Sequence, residues 1–323
     1  MKKILTIALA VVLLASTCLS FAACGSGTYT IGICQQMPHP ALDSATQGFK
    51  DAIIAEFGEE NVKFIEQNAQ GDPTACTTIV NDLVTKNVDL IMANATNALQ
   101  AAANGTTTIP VLGTSVTEYG TALGIENFNG LVGRNVSGVS DLAPLDEQAA
   151  IITTFFPNVK KVGMLYCSGE ANSAYQVKKV AEYLEAAGIE CTNYPFTDSN
   201  DIATVAAAAA AASDLIYIPT DNQAATCAET INGVVLPTGT PIVGGDEGIC
   251  SGCGVATLCV DYYDIGVATG KMAVKVLRGE AKIEEMEIQY AETFQKKFNR
   301  ANCEALNLDI AALEAAGYTA IGE

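Results

Sequence analysis

The chain has 323 residues, 36 acidic and 17 basic, for a net charge of −19. Such a surface repels phosphates, so nucleic-acid partners are excluded, and the acidity favours solubility. The length exceeds what one hydrophobic core usually serves and predicts two domains.

Residues 1–23 read as an export signal. Lys2 and Lys3 form a basic start, 4–15 is an apolar run, and Phe21-Ala22-Ala23 places small residues before Cys24. The run falls short of the ~20 residues that span a bilayer. The pattern resembles a bacterial lipobox, which implies diacylation of Cys24; Phe21 replaces the usual aliphatic residue, and an ordinary cleaved signal with a chance cysteine is the alternative. Removal of Lys2 and Lys3 leaves 15 basic against 36 acidic residues, a net charge of −21. Residues 24–27 would be a short lipidated tether, with the acyl chains as the only membrane attachment. The expected location is the extracytoplasmic face of the cell membrane.

From residue 28 onward β-branched strands alternate with amphipathic helices, the pattern of parallel α/β sheets. Strands are expected at 29–34, 62–67, 89–93 and 109–112, with helices at 42–57 and 73–86. Asp72 before Pro73 is the expected N-cap of the second helix. The order then restarts, with strands at 162–167, 190–196, 215–218 and 241–244 and helices at 173–187 and 202–212. The halves match in detail. Asp89-Leu90-Ile91 parallels Asp214-Leu215-Ile216, and Ile109-Pro110-Val111 parallels Thr240-Pro241-Ile242. The predicted fold class is α/β, two doubly wound parallel-sheet lobes with a ligand cleft between them. The first lobe is expected at 28–138 plus about 263–288, the second at 139–262 plus about 289–323, with crossings at 130–140 and 261–266. In such sheets ligands bind beyond the carboxyl ends of the strands.

Catalytic constellations are absent: there is no GxSxG and no GxGxxG after a strand, and the single histidine, His39, lies between Pro38 and Pro40 without a paired nucleophile. The chain is therefore read as a non-enzyme without cofactor or metal. Cys34, Cys76, Cys167, Cys191, Cys227 and Cys259 sit singly in apolar segments, as small hydrophobes do. Only Cys250-Ser251-Gly252-Cys253 has suggestive spacing, open between a local disulfide, inert thiols and a poorly supplied metal site.

The strand-end loops suit a small zwitterion. Gly169-Glu170-Ala171-Asn172-Ser173 follows a strand and opens a helix, whose N-H groups favour a carboxylate. Thr114-Ser115-Val116-Thr117 offers hydroxyls from the other lobe, and Asp221 and Asp246 are carboxylates for an ammonium, Asp246 first; Asn172 and Asp221 serve equally well as helix caps, and a turn or cap is the alternative for Asp246.

These loops also carry a family resemblance. The stretches 31–49, with His39-Pro40-Ala41-Leu42-Asp43, 113–117, 135–141, 162–173, 218–222, 246–248 and 261–266 resemble the substrate-binding lipoproteins of ABC importers in the tryptophan/tyrosine-type group, over about residues 28–305. The resemblance implies a type I periplasmic-binding fold with three crossings, and delivery of ligand to a permease driven by an ATPase. It also implies that Gln35, Gln36, Thr114, Ser115, Asn172, Ser173, Asp221, Asn222 and Asp246 line the cleft. Met37-Pro38 and Cys250 to Cys253 depart from the family pattern, both at the cleft border. The expected protein is a monomeric binding protein for an amino acid, aromatic by resemblance, with Tyr217, Tyr262 and Tyr263 as candidate flanking rings. A nucleoside or sugar binder and a ligand-sensing receptor remain the alternatives.

Overall fold

A computed structural model describes residues 28–322; the expected signal, Cys24 and the rest of the tether at 24–27 lie outside the described residues. The first sheet contains β1 (Tyr29–Gln35), β2 (Val62–Asn68), β3 (Leu90–Asn94), β4 (Val111–Val116) and β5 (Val136–Ser140). Its helices are α1 (Pro40–Phe57), α2 (Pro73–Thr85), α3 (Thr96–Gly105) and the short α4 (Tyr119–Leu123). The second sheet contains β6 (Lys161–Cys167), β7 (Glu190–Phe196), β8 (Leu215–Ile218), β9 (Ile242–Gly244) and β10 (Ala256–Cys259). Its helices are α5 (Leu145–Phe155), α6 (Ala171–Ala186), α7 (Ile202–Ala212), α8 (Asn222–Thr226), α9 (Ala228–Val235) and α10 (Glu247–Gly252). The chain ends with α11 (Tyr262–Leu277), β11 (Gln289–Tyr290), β12 (Gln295–Phe298), α12 (Arg300–Ala305), α13 (Ile310–Ala315) and β13 (Thr319–Ala320).

The strand orders are β11-β5-β4-β3-β1-β2 and β13-β12-β10-β9-β8-β6-β7. All pairs of named strands are parallel except β10 with β12. Parallel sheets bury both faces, and the central strands are accordingly mostly apolar: every residue of β3 and β8 is buried, Asn94 at the end of β3 among them. Each sheet has a core on either face, one built around Phe49 and Met92 and the other around Leu83 and Ile91 in the first lobe. In the second lobe the corresponding cores gather Val180 with Leu215 and Phe196 with Ile216. The alanine run of α7 is one helix, with Ala206 and Ala209 on its buried face, and Asp72 caps α2 by accepting from Thr74 N at 2.8 Å.

The chain leaves the first sheet after Ser140, returns between Cys259 and Tyr262, and crosses again between Tyr290 and Gln295. The expected crossing at 130–140 is corrected: Val136-Ser137-Gly138-Val139-Ser140 is β5, paired with β4. Val139 and Gln289 thus belong to the first sheet, and Tyr262 packs in that lobe's core with Ile265 and Val260.

Candidate functional site

The strands of both sheets end toward the seam between the lobes, and direct contacts close it. His39, preceding α1, donates from Nε2 to Asn222 Oδ1 at 3.1 Å. Thr226 Oγ1 donates to Met37 Sδ at 3.3 Å, and α4 packs on α6. Beside these contacts a cavity of about 500 Å³ is lined from both lobes by His39, Ser44, Thr226, Gly248 and the crossing residues Asp261 and Tyr262.

Buried polar atoms almost always find partners, so those that do not are informative. Seven side-chain atoms among the described residues are buried and unpaired, and five belong to strand-end residues at this seam: Asn94 Oδ1, Thr114 Oγ1, Ser115 Oγ, Asp141 Oδ1 and Asn172 Oδ1. They come from the end of β3, the end of β4, the residue after β5 and the first turn of α6. Ser115 also has φ 54°, a left-handed conformation unusual for serine, and Ala95 has φ 82°. Strain of this kind, of order 1–3 kcal/mol per residue, collects where a chain must present groups to a ligand.

Four acids lie in the same layer, and all are buried: Asp141, Glu170, Asp221 and Asp246. None of the ion pairs among the described residues includes them. Burial pushes Asp141 up to about 6, against hydrogen bonds from Thr117 and Tyr262. Burial likewise pushes Asp246 up to about 7, opposed by the Ile249 N-H and assisted by Asp141. Burial and then Asp221 raise Glu170 to about 8, and burial raises Asp221 as well. Buried negative charge without a basic partner is costly, so this layer favours a cation.

The structure separates the nine residues expected to line a cleft. Thr114, Ser115 and Asn172 present unpaired atoms. Asp246 accepts from Ile249 N at 2.8 Å through Oδ1, as the N-cap of α10. Asp221 is committed to the protein: it caps α8 through Ala224 N at 2.8 Å and accepts from Cys167 N at 2.6 Å. The Ser173 hydroxyl bonds Asp221. Gln35 bonds Asp43, Thr46 and the Met37 carbonyl, and Gln36 Oε1 accepts from Asn97 N, all within the first lobe. Asn222 makes the contact to His39. Of the tyrosines, Tyr217 is buried in the second lobe and donates to Gln148 Oε1 at 2.6 Å. Tyr263 is 40 % exposed and bonds Asp51. Of these three candidates Tyr262 is the one bonded to a seam acid, donating to Asp141 Oδ2 at 3.0 Å.

Asp141 was missed as a site residue because β5 was not read as a strand, and the rule that selects polar residues after strands therefore never reached it. Glu170 passed as part of a loop. Gln148 and Gln176 are scaffold: Gln148 Nε2 donates to the carbonyls of Gly245 and Leu258, and Gln176 Nε2 donates to that of Thr220. Gly245 approaches Thr220 so closely that an added Cβ would lie 2.3 Å from its nitrogen. The cysteines described are free thiols, and Cys253 donates to the Ile249 carbonyl at 3.4 Å. Among the described residues no group of His, Cys, Asp or Glu is suited to a metal.

Two parallel-sheet lobes, three crossings and a buried polar seam define a two-lobe solute-binding protein. The family model for ABC transporter substrate binding proteins matches residues 30–316, and the chain belongs to that family. It is not an enzyme. It is 32 % identical over 256 residues to a tyrosine-binding protein of Clostridioides difficile, covering 78 % of this chain and 73 % of the relative. A domain from Streptococcus pneumoniae solved in complex with L-Trp is 31 % identical with a TM-score of 0.86, covering 91 % of this chain and 100 % of that one. The ligand-free, open structure of a substrate-binding protein with adhesive properties from Clostridium difficile is 30 % identical, covers 87 % and 96 %, and gives only 0.68. The fold extends to a leucine-binding protein of Thermotoga maritima at 12 % identity and a TM-score of 0.60.

Proposed function

We propose that the chain is a lipid-anchored binding protein that closes around an aromatic amino acid as its zwitterion and delivers it to a permease. The observation that carries the reading is the unpaired set at the seam: Asp141 Oδ1 and Asn172 Oδ1 are acceptors for the ammonium, and the Thr114 and Ser115 hydroxyls are donors for the carboxylate. The four buried acids favour a ligand bearing positive charge, and relatives similar over most of the chain are a tyrosine-binding protein and an L-Trp complex. The carboxylate assignment thereby moves from the helix start at 169–173, where Asn172 Nδ2 is held by Glu170 and the Ser173 hydroxyl by Asp221, to the β4 end.

The chain has no tryptophan, so added tryptophan fluoresces without protein background. A saturable blue shift of its emission, competed by tyrosine or phenylalanine and not by ribose, is the expected result. The indole would bury on the order of 150–250 Å². Free-tryptophan emission throughout, with leucine or a nucleoside stabilising the fold, would refute the aromatic assignment.

A further inference from the structure

We infer that Glu170 is a positioning residue that couples ligand recognition to lobe closure, by holding Asn172 and Asn222 with their amide oxygens turned outward. The ligand half of this inference rests on the amino-acid reading above; the closure half does not. Glu170 precedes α6 and is 3 % exposed. Its Oε2 accepts from Asn222 Nδ2 at 2.7 Å, Asn222 N at 3.1 Å and Asn172 Nδ2 at 3.1 Å, and its Oε1 accepts from Gln223 N at 3.0 Å. Every neighbour in this set is a donor, and these hydrogen bonds favour the carboxylate form against the burial and the Asp221 charge that raise Glu170 to about 8.

The arrangement fixes both amides. Asn172 Nδ2 also donates to the Thr220 carbonyl at 3.0 Å, an acceptor and nothing else, so its Oδ1 is the atom left buried and unpaired. That oxygen takes an N-H from a ligand and repels a carboxylate. Asn222, with Nδ2 on Glu170, offers Oδ1 across the seam to His39 Nε2-H. Burial lowers the pKa of His39 and keeps its ring neutral, against Asn222 and Asp43, which raise it. One carboxylate therefore aims one amide oxygen at the ligand and the other at the opposite lobe. Asp221 cannot take its place, because its oxygens hold Ala224 N and Cys167 N.

Stopped-flow binding of L-tryptophan tests the coupling with Glu170→Gln, His39→Leu and His39→Gln. In Glu170→Gln an NH2 group faces N-H donors, and in His39→Leu the cross-lobe donor is gone; dissociation should accelerate about tenfold in each, the worth of one hydrogen bond to a charged or buried partner. Association should change little. His39→Gln keeps an N-H donor at similar reach and should restore slow dissociation, a rescue that a purely structural role would not give. The Glu170→Gln/His39→Leu double variant should fall short of the product of the singles, because both break one linkage. Unchanged dissociation in His39→Leu, or full additivity, overturns the inference, and the His39 variants decide it if Glu170→Gln misfolds. If the wild type binds neither L-tryptophan nor L-tyrosine, the aromatic reading fails instead. Amide exchange at Asn222 and Gln223, whose N-H groups bond Glu170, then replaces the ligand assay: it must rise in Glu170→Gln, and unchanged exchange there overturns the inference.

Discussion

Asp141 and Asp246 share a layer yet have different second duties, and the difference makes them testable separately. Asp246 is the N-cap of α10, a role asparagine fills as well, so Asp246→Asn should leave the melting temperature near wild type. Asp141 receives Tyr262 through Oδ2 and leaves Oδ1 unpaired. Asp141→Asn should therefore weaken amino-acid binding by about 1.5–3 kcal/mol, roughly tenfold or more, as measured by calorimetry. A smaller loss for Asp141→Asn than for Asp246→Asn would reverse the assignment of the ammonium partner. The pH dependence follows from the raised values, about 6 and about 7, against an ordinary 3.8. Without ligand, the folded protein holds protons that the unfolded chain has released, so the contribution of these two groups to stability is fully present below pH 3.8 and is lost as pH rises through 6 and 7. An ammonium favours the ionised form. Binding should thus tighten as pH rises from about 5 to about 7.5, with protons released on binding. Calorimetry in buffers of different ionisation enthalpy reads that release directly; proton uptake would exclude contact of the ammonium with these acids.

At the scale of elements, the seam depends on how α11, which follows the second crossing, is seated on α1. The two helices approach through glycines: a Cβ on Gly266 would lie 2.1 Å from the Ala45 carbonyl oxygen, and one on Gly48 would lie 2.2 Å from that of Tyr263. Backbone cannot yield as a flexible side chain can, so Gly266→Ala forces the helices apart and should cost about 1–3 kcal/mol. Thermal unfolding would show it as a lowered melting temperature, and an unchanged one would mean that α11 is free to shift. The helices and most strands could be read in the sequence because their apolar spacing is regular. β5 could not: Ser137, Gly138 and Ser140 interrupt its apolar pattern, and it becomes a strand because β4 and β11 pair with it on either side. Gly138 fits there with φ 153° only because it lacks a Cβ, which would meet the Gly113 carbonyl oxygen at 2.2 Å.

For the whole molecule, attachment and closure are separate matters. The proposed anchoring rests on Cys24 alone, so Cys24→Ala should release the protein to the soluble fraction, and a variant still retained in washed membranes would count against lipidation. Ligand-driven closure should move solution scattering from an extended to a compact particle. The sequence by itself determined the α/β alternation and its duplication, and it supplied the expected compartment from residues 1–23 and the strand-end rule that selected Thr114, Ser115, Asn172 and Asp246 as candidates. These are local or periodic signals, carried by residues a few positions apart. What only the tertiary structure decided is which of those side chains are spare. Gln35 and Asp221 read as ligand contacts in one dimension, yet their atoms are taken by Thr46 and by the Cys167 and Ala224 amides. Asp141, Glu170 and His39 gain their roles from partners on other elements, at Tyr262, Asn222 and Gln223. Hydrogen-bond capacity is used up by whatever the fold brings within about 3 Å, and that is set by packing between lobes rather than by spacing along the chain.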